Sequence, residues 1–201
     1  MAEGRVIIGY SYPYYALYSN TGNTITYASG NDLARGVGVD FSLDTADSTN
    51  WYANNVMAES AQVAFTGGQV TLTCDGMHDA VRKAVAGLPT PSTETVGTNS
   101  VKFYDYDDRQ SVPFLGIGFV IKYMENGVES YVPYVFPKVK LTPESYAATT
   151  QGESVEFQTN EYVFDIFRDD STNHRWQRIG EAQASEVDAY NAVKVVLGGT
   201  I

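Results

Sequence analysis

Cys74, Asp75, His78 and Asp79 are the densest group of metal-ligating residue types in this 201-residue chain. Only Cys74 and His78 have ligand-like spacing, and no second pair stands elsewhere to complete a tetrahedral set. They read instead as a buried small residue, a helix N-cap and a surface helix. Gly36-Val-Gly38 and Gly116-Ile-Gly118 begin like dinucleotide-binding turns, but Phe41 and Ile121 occupy the third glycine's place. Inside a strand, such glycines mark a bulge or a close backbone approach. No Gly-x-Ser-x-Gly elbow occurs, and neither His78 nor His174 has a placed serine partner. The run Tyr104, Asp105, Tyr106, Asp107 and Asp108 misses the calcium-loop spacing and reads as a solvated turn. Carboxylate pairs for glycosidic work meet only in a fold, and nothing here points to one. The expectation is therefore no catalytic residue, no metal and no cofactor.

The elements around these residues are mostly strands. Val70, Leu72 and Cys74 alternate with Thr71 and Thr73, the period of a strand with one buried face. A helix is expected near residues 76–87, with Asp75 as N-cap. Met77, Ala80, Val81, Ala84, Val85 and Leu88 form its apolar stripe, Gly87 takes a left-handed C-terminal position, and Pro89 forbids continuation. That stripe needs a sheet to lie on. Gly67 and Gly68 separate Val63 and Phe65 from Val70, Leu72 and Cys74, which have the opposite parity. They are either a hairpin turn or a bulge.

Asn126-Gly127 is a strong two-residue turn signal. A type I′ turn there sets Ile121 opposite Val132, Phe119 opposite Tyr134 and Ile117 opposite Phe136. Pro133 and Pro137 place the return strand at an edge or at a joint with another chain. Residues 5–18 read as a strand interrupted at Pro13, residues 89–100 as a linker, and residues 101–106 as a short strand. A further strand covers 154–168, with Val155 and Phe157 early. A C-terminal helix is expected over 185–197, opened by Ser185 and Asp188, with Val187, Tyr190, Val193 and Leu197 on one face.

Residues 44–60 are polar except for Trp51, Tyr52, Val56 and Met57, and read as a long hairpin or loop projecting from the body. Stretches this long are more often functional than ornamental. Asp44, Asp47, Trp51, Tyr52, Val56 and Met57 are its candidate contacts with another subunit; Val81, Ala84, Val85 and Leu88 are the candidate core of the first helix. The net charge of −11 disfavours static binding to nucleic acid or an anionic membrane. One cysteine makes no intrachain disulfide, and no apolar run reaches about 18 residues. A single mainly β domain over residues 1–201, a β-sandwich or partial barrel, is expected in a soluble chain made in the cytosol.

The order of features carries a resemblance. A polar arm holds Trp51-Tyr52, followed by Gly67-Gly-Gln-Val-Thr-Leu-Thr-Cys-Asp-Gly-Met77 and a helix closing at Ala86-Gly-Leu88. Then come Pro113-Phe-Leu-Gly-Ile-Gly-Phe119, Tyr131-Val-Pro-Tyr-Val-Phe136, and Phe164-Asp-Ile-Phe-Arg-Asp-Asp170. Over roughly residues 33–170 this resembles the major tail tube proteins of long-tailed bacteriophages with non-contractile tails. The resemblance implies a β-sandwich flanked by a helix, self-assembled into hexameric rings. The rings stack into a hollow tube through which double-stranded DNA passes without specific binding. It also implies tape measure, terminator and distal tail proteins as partners, and no membrane. By position, residues 44–60 match the family's long inter-ring loop, and residues 1–18 and 171–201 match its arms. Two other readings stay open: the tube of a contractile tail or injection machine, and a β-sandwich module binding carbohydrate or a cell surface through Trp51, Tyr52 and Tyr104.

Overall fold

A computed structural model describes residues 4–47, 50–60, 64–151 and 157–201. The chain is mainly β and antiparallel. Its strands are β1 (Val6–Thr21), β2 (Thr24–Asp32), β3 (Gly36–Thr45), β4 (Asn50–Ala53), β5 (Val56–Ser60) and β6 (Phe65–Cys74), followed after α1 (Asp79–Ala86) by β7 (Ser92–Val96), β8 (Asn99–Phe103), β9 (Leu115–Glu125), β10 (Val128–Leu141), β11 (Asn160–Ile166) and β12 (Arg178–Ile179). Helix α2 (Glu186–Val196) closes the chain. The main sheet runs β2-β1-β9-β10-β11-β6-β3, with β12 added to β10. It folds over at the β10–β11 joint, where only Val139 to Leu141 pair with Ile166 to Phe164. Phe41 of β3 consequently lies against Tyr134 and Phe136 of β10, with ring centroids 6.2 and 5.6 Å apart.

The central hairpin has the register its turn dictates. Asn126 and Gly127 both take positive φ, as a type I′ turn requires. Ile121 faces Val132, Phe119 faces Tyr134 and Ile117 faces Phe136. Such cross-strand pairs contribute about 0.2–1 kcal/mol each. Strand β10 is nevertheless interior, which corrects the expectation drawn from its prolines. On its far side it meets β12 at Tyr134 and Val135, and β11 from Val139 onward. Pro137 lies in the gap between these partners, where the β9 register also shifts, while Pro133 uses its carbonyl to accept from the Gly180 N–H. A proline costs an interior strand little where no neighbour needs its missing N–H.

Gly67 and Gly68 resolve as a bulge. Strand β6 runs on through both glycines, and the ladder to β3 slips between Asp44 and Thr45. A Cβ on Gly68 would stand 2.3 Å from the Ser42 carbonyl oxygen, so the strands approach too closely for any side chain. The slip buries Phe65 on the same side as Val70, Leu72 and Cys74 despite the opposite parity. Val63 and Val155 lie outside the described residues.

Helix α1 begins later than expected. Its N-cap is His78, with no side-chain cap, because Asp75 is held by Arg35 instead. Val81, Val85 and Leu88 are buried with Met77, Ala84 is half-buried, and Ala80 is exposed on the solvent side of the first turn. Gly87 has φ 63°, and a Cβ there would strike the Ser111 carbonyl. Residues 89–100 are not a linker: β7 and β8 form a hairpin turning at Gly97. The last large strand starts at Asn160, and Phe157 before it is 95% exposed.

Both terminal segments, expected as arms, fold onto their own chain. Strand β1 pairs with β2 on one side and β9 on the other, burying Tyr14, Tyr15 and Ala16. Helix α2, with Ser185 Oγ accepting from the Asp188 N–H, packs Ala189, Tyr190, Val193 and Leu197 onto the outer face of β1, β9 and β10. Val187, expected in that stripe, points to solvent, and Ala189 takes its place. Gly116 and Gly118 explain the docking: a Cβ on either would come within 2.6 Å of Leu197 or Val193. These are close-approach glycines.

Two substitutions test this packing. Val81→Asp puts an unpaired charge under α1 and is expected to cost several kcal/mol; an unchanged melting temperature would show that the stripe is not buried. Gly118→Val should cost about 1–3 kcal/mol in denaturant unfolding and accelerate amide exchange across α2. Gly4→Ala, with nothing within 4 Å, is the control. Equal effects of the two glycine substitutions would refute the glycine floor.

Candidate functional site

The residues singled out for chemistry do not converge. Cys74 is buried in the core, where burial pushes its thiol up to about 12, whereas His78 is exposed. Asp75 accepts from the Arg35 N–H at 3.0 Å and pairs with its guanidinium, which holds the carboxyl below its usual range. Among the described residues, no three His, Cys, Asp or Glu side chains gather as a metal site. A cleft of about 700 Å³ opens beside this turn, lined among others by Ser11, Asp32, Arg35, Asp75 and His78. Several of its polar groups are committed to the fold: Ser11 Oγ donates to Glu186 at 2.6 Å, the Tyr190 hydroxyl donates to Asp32, and Asp75 holds Arg35. In the acidic run, Asp107 binds Arg109 and accepts from its backbone N–H at 2.8 Å, making a local turn. His174 Nδ1 lies 3.2 Å from the Asp169 carbonyl, at the end of the 169–173 turn that Asp169 itself organises.

The other candidate surface is the projection between β3 and β6. Strands β4 and β5 pair only with each other, Tyr52 opposite Met57 and Ala53 opposite Val56. The hairpin turns at Asn54 and Asn55, both at positive φ, a conformation asparagine tolerates better than most residues. Its base continues the body: the Ala46 N–H donates to the Ala64 carbonyl at 2.8 Å. Asp44 stands opposite Gly67 one residue before the end of β3, and Asp47 is exposed just beyond the strand. Tyr52 and Met57 are 61% and 54% exposed and adjacent, an apolar pair turned to solvent. Trp51 and Val56 contribute backbone to the same ribbon; their side chains lie outside what is described.

The β7–β8 ribbon is a second projection that the sequence reading missed. It also pairs with no strand of the main sheet, and exposes Val96, Val101 and Phe103. Alternating Thr93 and Thr95 before Gly97 was the available signal, hidden by the absence of apolar residues between them.

On the outer side of the sheet, Lys138 Nζ and the Tyr18 hydroxyl both donate to Asp170 Oδ2 at 2.7 Å, and the Asp170 N–H donates back to the Tyr18 oxygen at 3.0 Å. Lys138 also lies over the Phe114 ring at 4.7 Å. Burial first, and then the Asp170 bond, push the Tyr18 hydroxyl up to about 12, while Lys138 and Tyr18 hold the Asp170 carboxyl below its usual range. This cluster pins β1 to the turn after β11 and is structural.

Comparison with known protein families finds none that matches the chain, and no curated protein matches it significantly. No helix among the described residues is long and apolar enough to cross a membrane.

A folded carboxyl held below its ordinary value stabilises the fold above that value, near pH 4, and the contribution is lost as pH falls through the folded value. Asp170→Asn should therefore be less stable than the parent at pH 7, by a modest amount because the site is partly exposed, with a narrower gap at pH 3. Urea unfolding at both pH values reads this. A gap independent of pH would sink the assignment.

Proposed function

We propose that this chain is the subunit of a self-assembling tail tube of a long-tailed, non-contractile bacteriophage, made in the host cytoplasm and residing in the virion tail. Hexameric rings of it would stack into a hollow conduit capped by tape measure, terminator and distal tail proteins. The observation that carries the reading is the β4–β5 ribbon. It leaves the sheet between β3 and β6, pairs with no other strand among the described residues, and presents Tyr52 and Met57 to solvent where the resemblance implies an inter-ring loop. An isolated two-stranded ribbon is marginal in water, and an adjacent chain would supply the packing it lacks. The two edges of the main sheet, β2 and β3, each have a partner on one side only, which favours strand pairing between subunits. Head-to-tail stacking of identical rings is a heterologous contact, the kind that builds filaments. Six copies at −11 each would repel a passing duplex within a screening length of about 8–10 Å.

Negative-stain microscopy of the purified chain should reveal rings or tubes; a compact monomer at high concentration with a small molecule in its cleft would overturn the reading. Deleting residues 45–58 should leave cooperative melting intact and abolish tubes. Normal tubes from the deletion variant would remove the ribbon from the interface.

A further inference from the structure

Residues 142–151 leave β10 without regular structure and are largely exposed, except at Glu144. The Glu144 side chain is only 5% exposed, and among the described residues neither carboxyl oxygen has a hydrogen-bond partner. Its nearest cation is Arg82 of α1, with Nε 3.8 Å from Oε2, too far to hydrogen-bond. Glu144 lines a partly open cavity of about 200 Å³ beside the C-terminal end of α1, walled by Ala86, Tyr106, Val112 and Leu141. The segment is tied at its ends: the Thr142 N–H and hydroxyl donate to the Val163 carbonyl, and Thr149 bonds to Gln158. Between these ties, Arg82 is its anchor, facing Glu144 on one side and stacking over Tyr146 at 5.5 Å on the other.

We propose that residues 143–151 form a proton-operated strap, docked over the end of α1 while Glu144 is neutral and loosened as Glu144 ionises. An ionised carboxylate buried without hydrogen bonds is costly, and one cation held at 3.8 Å and shared with Asp79 repays little of that cost. The neutral acid avoids most of it. The groups facing Glu144 are Arg82 and, through it, Asp79 on α1, and Tyr106 from the segment before β9; Tyr162 of β11 lies behind Tyr106. Of these only Arg82 favours the charged form. Burial outweighs it and raises the Glu144 carboxyl above its usual range. For a group raised in the docked state, docking is strongest below the ordinary carboxylate value. It weakens up to tenfold per pH unit as pH rises toward the docked value, then levels off.

Hydrogen exchange of the 144–151 amides in the full chain, from pH 4 to pH 8, tests this. Taking the ratio of parent to Glu144→Gln cancels intrinsic exchange rates. The ratio of exchange rates should be near one at pH 4 and at least fivefold higher by pH 8, as the parent strap loosens while the variant stays docked. Removing the cation by Arg82→Met raises the docked value further, so the loss of docking should continue to higher pH before levelling off, and this reads the proposal even if Glu144→Gln does not fold. A parent-to-variant ratio flat across the range, or a transition unmoved by Arg82→Met, would overturn the strap.

Discussion

The fold depends on strand β9 being buried on both faces. From Leu115 to Ile121 every residue of it is buried, with Leu115, Ile117, Phe119 and Ile121 turned into the main core and Gly116, Gly118 and Val120 turned toward α2. A strand in that position tolerates no slip, because a one-residue shift would carry phenylalanine and isoleucine into the glycine track and glycine into the core. The Asn126-Gly127 turn fixes the register at one end. The glycine track fixes it along the length, since only there can Val193 and Leu197 approach the backbone. Local turn chemistry and long-range packing agree, as a well-specified fold requires.

That constraint explains the placement of the chain termini. Covering the outer face of β9 needs a helix, and the only late apolar stripe is α2, so the last residues are drawn onto the sheet instead of being free to reach a neighbour. Strand β1 is drawn in likewise, as the other flank of β9. Tyr12 and Tyr190 then stack at 4.6 Å, Ser11 donates to Glu186 and Tyr190 donates to Asp32, joining the first and last elements. In the proposed tube, gripping between rings would therefore fall to the mid-chain ribbons.

Much of the body was legible because its signals are local and redundant. The β9–β10 register followed from one dipeptide, the stripe of α1 from its spacing, and the start of α2 from Ser185 and Asp188. The failures have physical causes. Asp75 has the chemistry of an N-cap, but an ion pair with a residue forty positions earlier outcompeted the helix terminus, and no local rule foresees that. Pro133 and Pro137 marked an edge that does not exist, because β10 is met by two short partners with a gap between them. Val187 fits the helical period of α2, yet the face turned to the sheet is made by Ala189, Tyr190, Val193 and Leu197, which leaves Val187 on the solvent side. The polar β7–β8 ribbon lacks the apolar alternation by which half-buried strands are recognised, since it buries nothing in its own chain. The candidate contact residues were legible as a type, apolar side chains on a polar ribbon; what they touch is not encoded locally.

The body and the ribbons thus obey different rules. Within the body, each strand except the edges β2 and β3 and the short β12 has neighbours on both sides, and the strand centres bury their apolar residues in a shared core even though Val6, Ile7, Val37 and Val128 stay exposed near strand ends. The ribbons invert this: their hydrogen bonds are satisfied within each pair, while Tyr52, Met57, Val96, Val101 and Phe103 remain in water. Scattered exposed apolar residues are ordinary on a protein surface, but here they sit on thin two-stranded extensions that no core supports. A ribbon of that kind gains little by folding alone and much by lying against a second surface. Its backbone pairing preorganises the exposed side chains, so less conformational entropy is lost on contact than a disordered loop would lose. This is the physical reason to look for the function of the chain at its projections, with the sheet, its glycine track and its two helices serving to hold them at a fixed spacing.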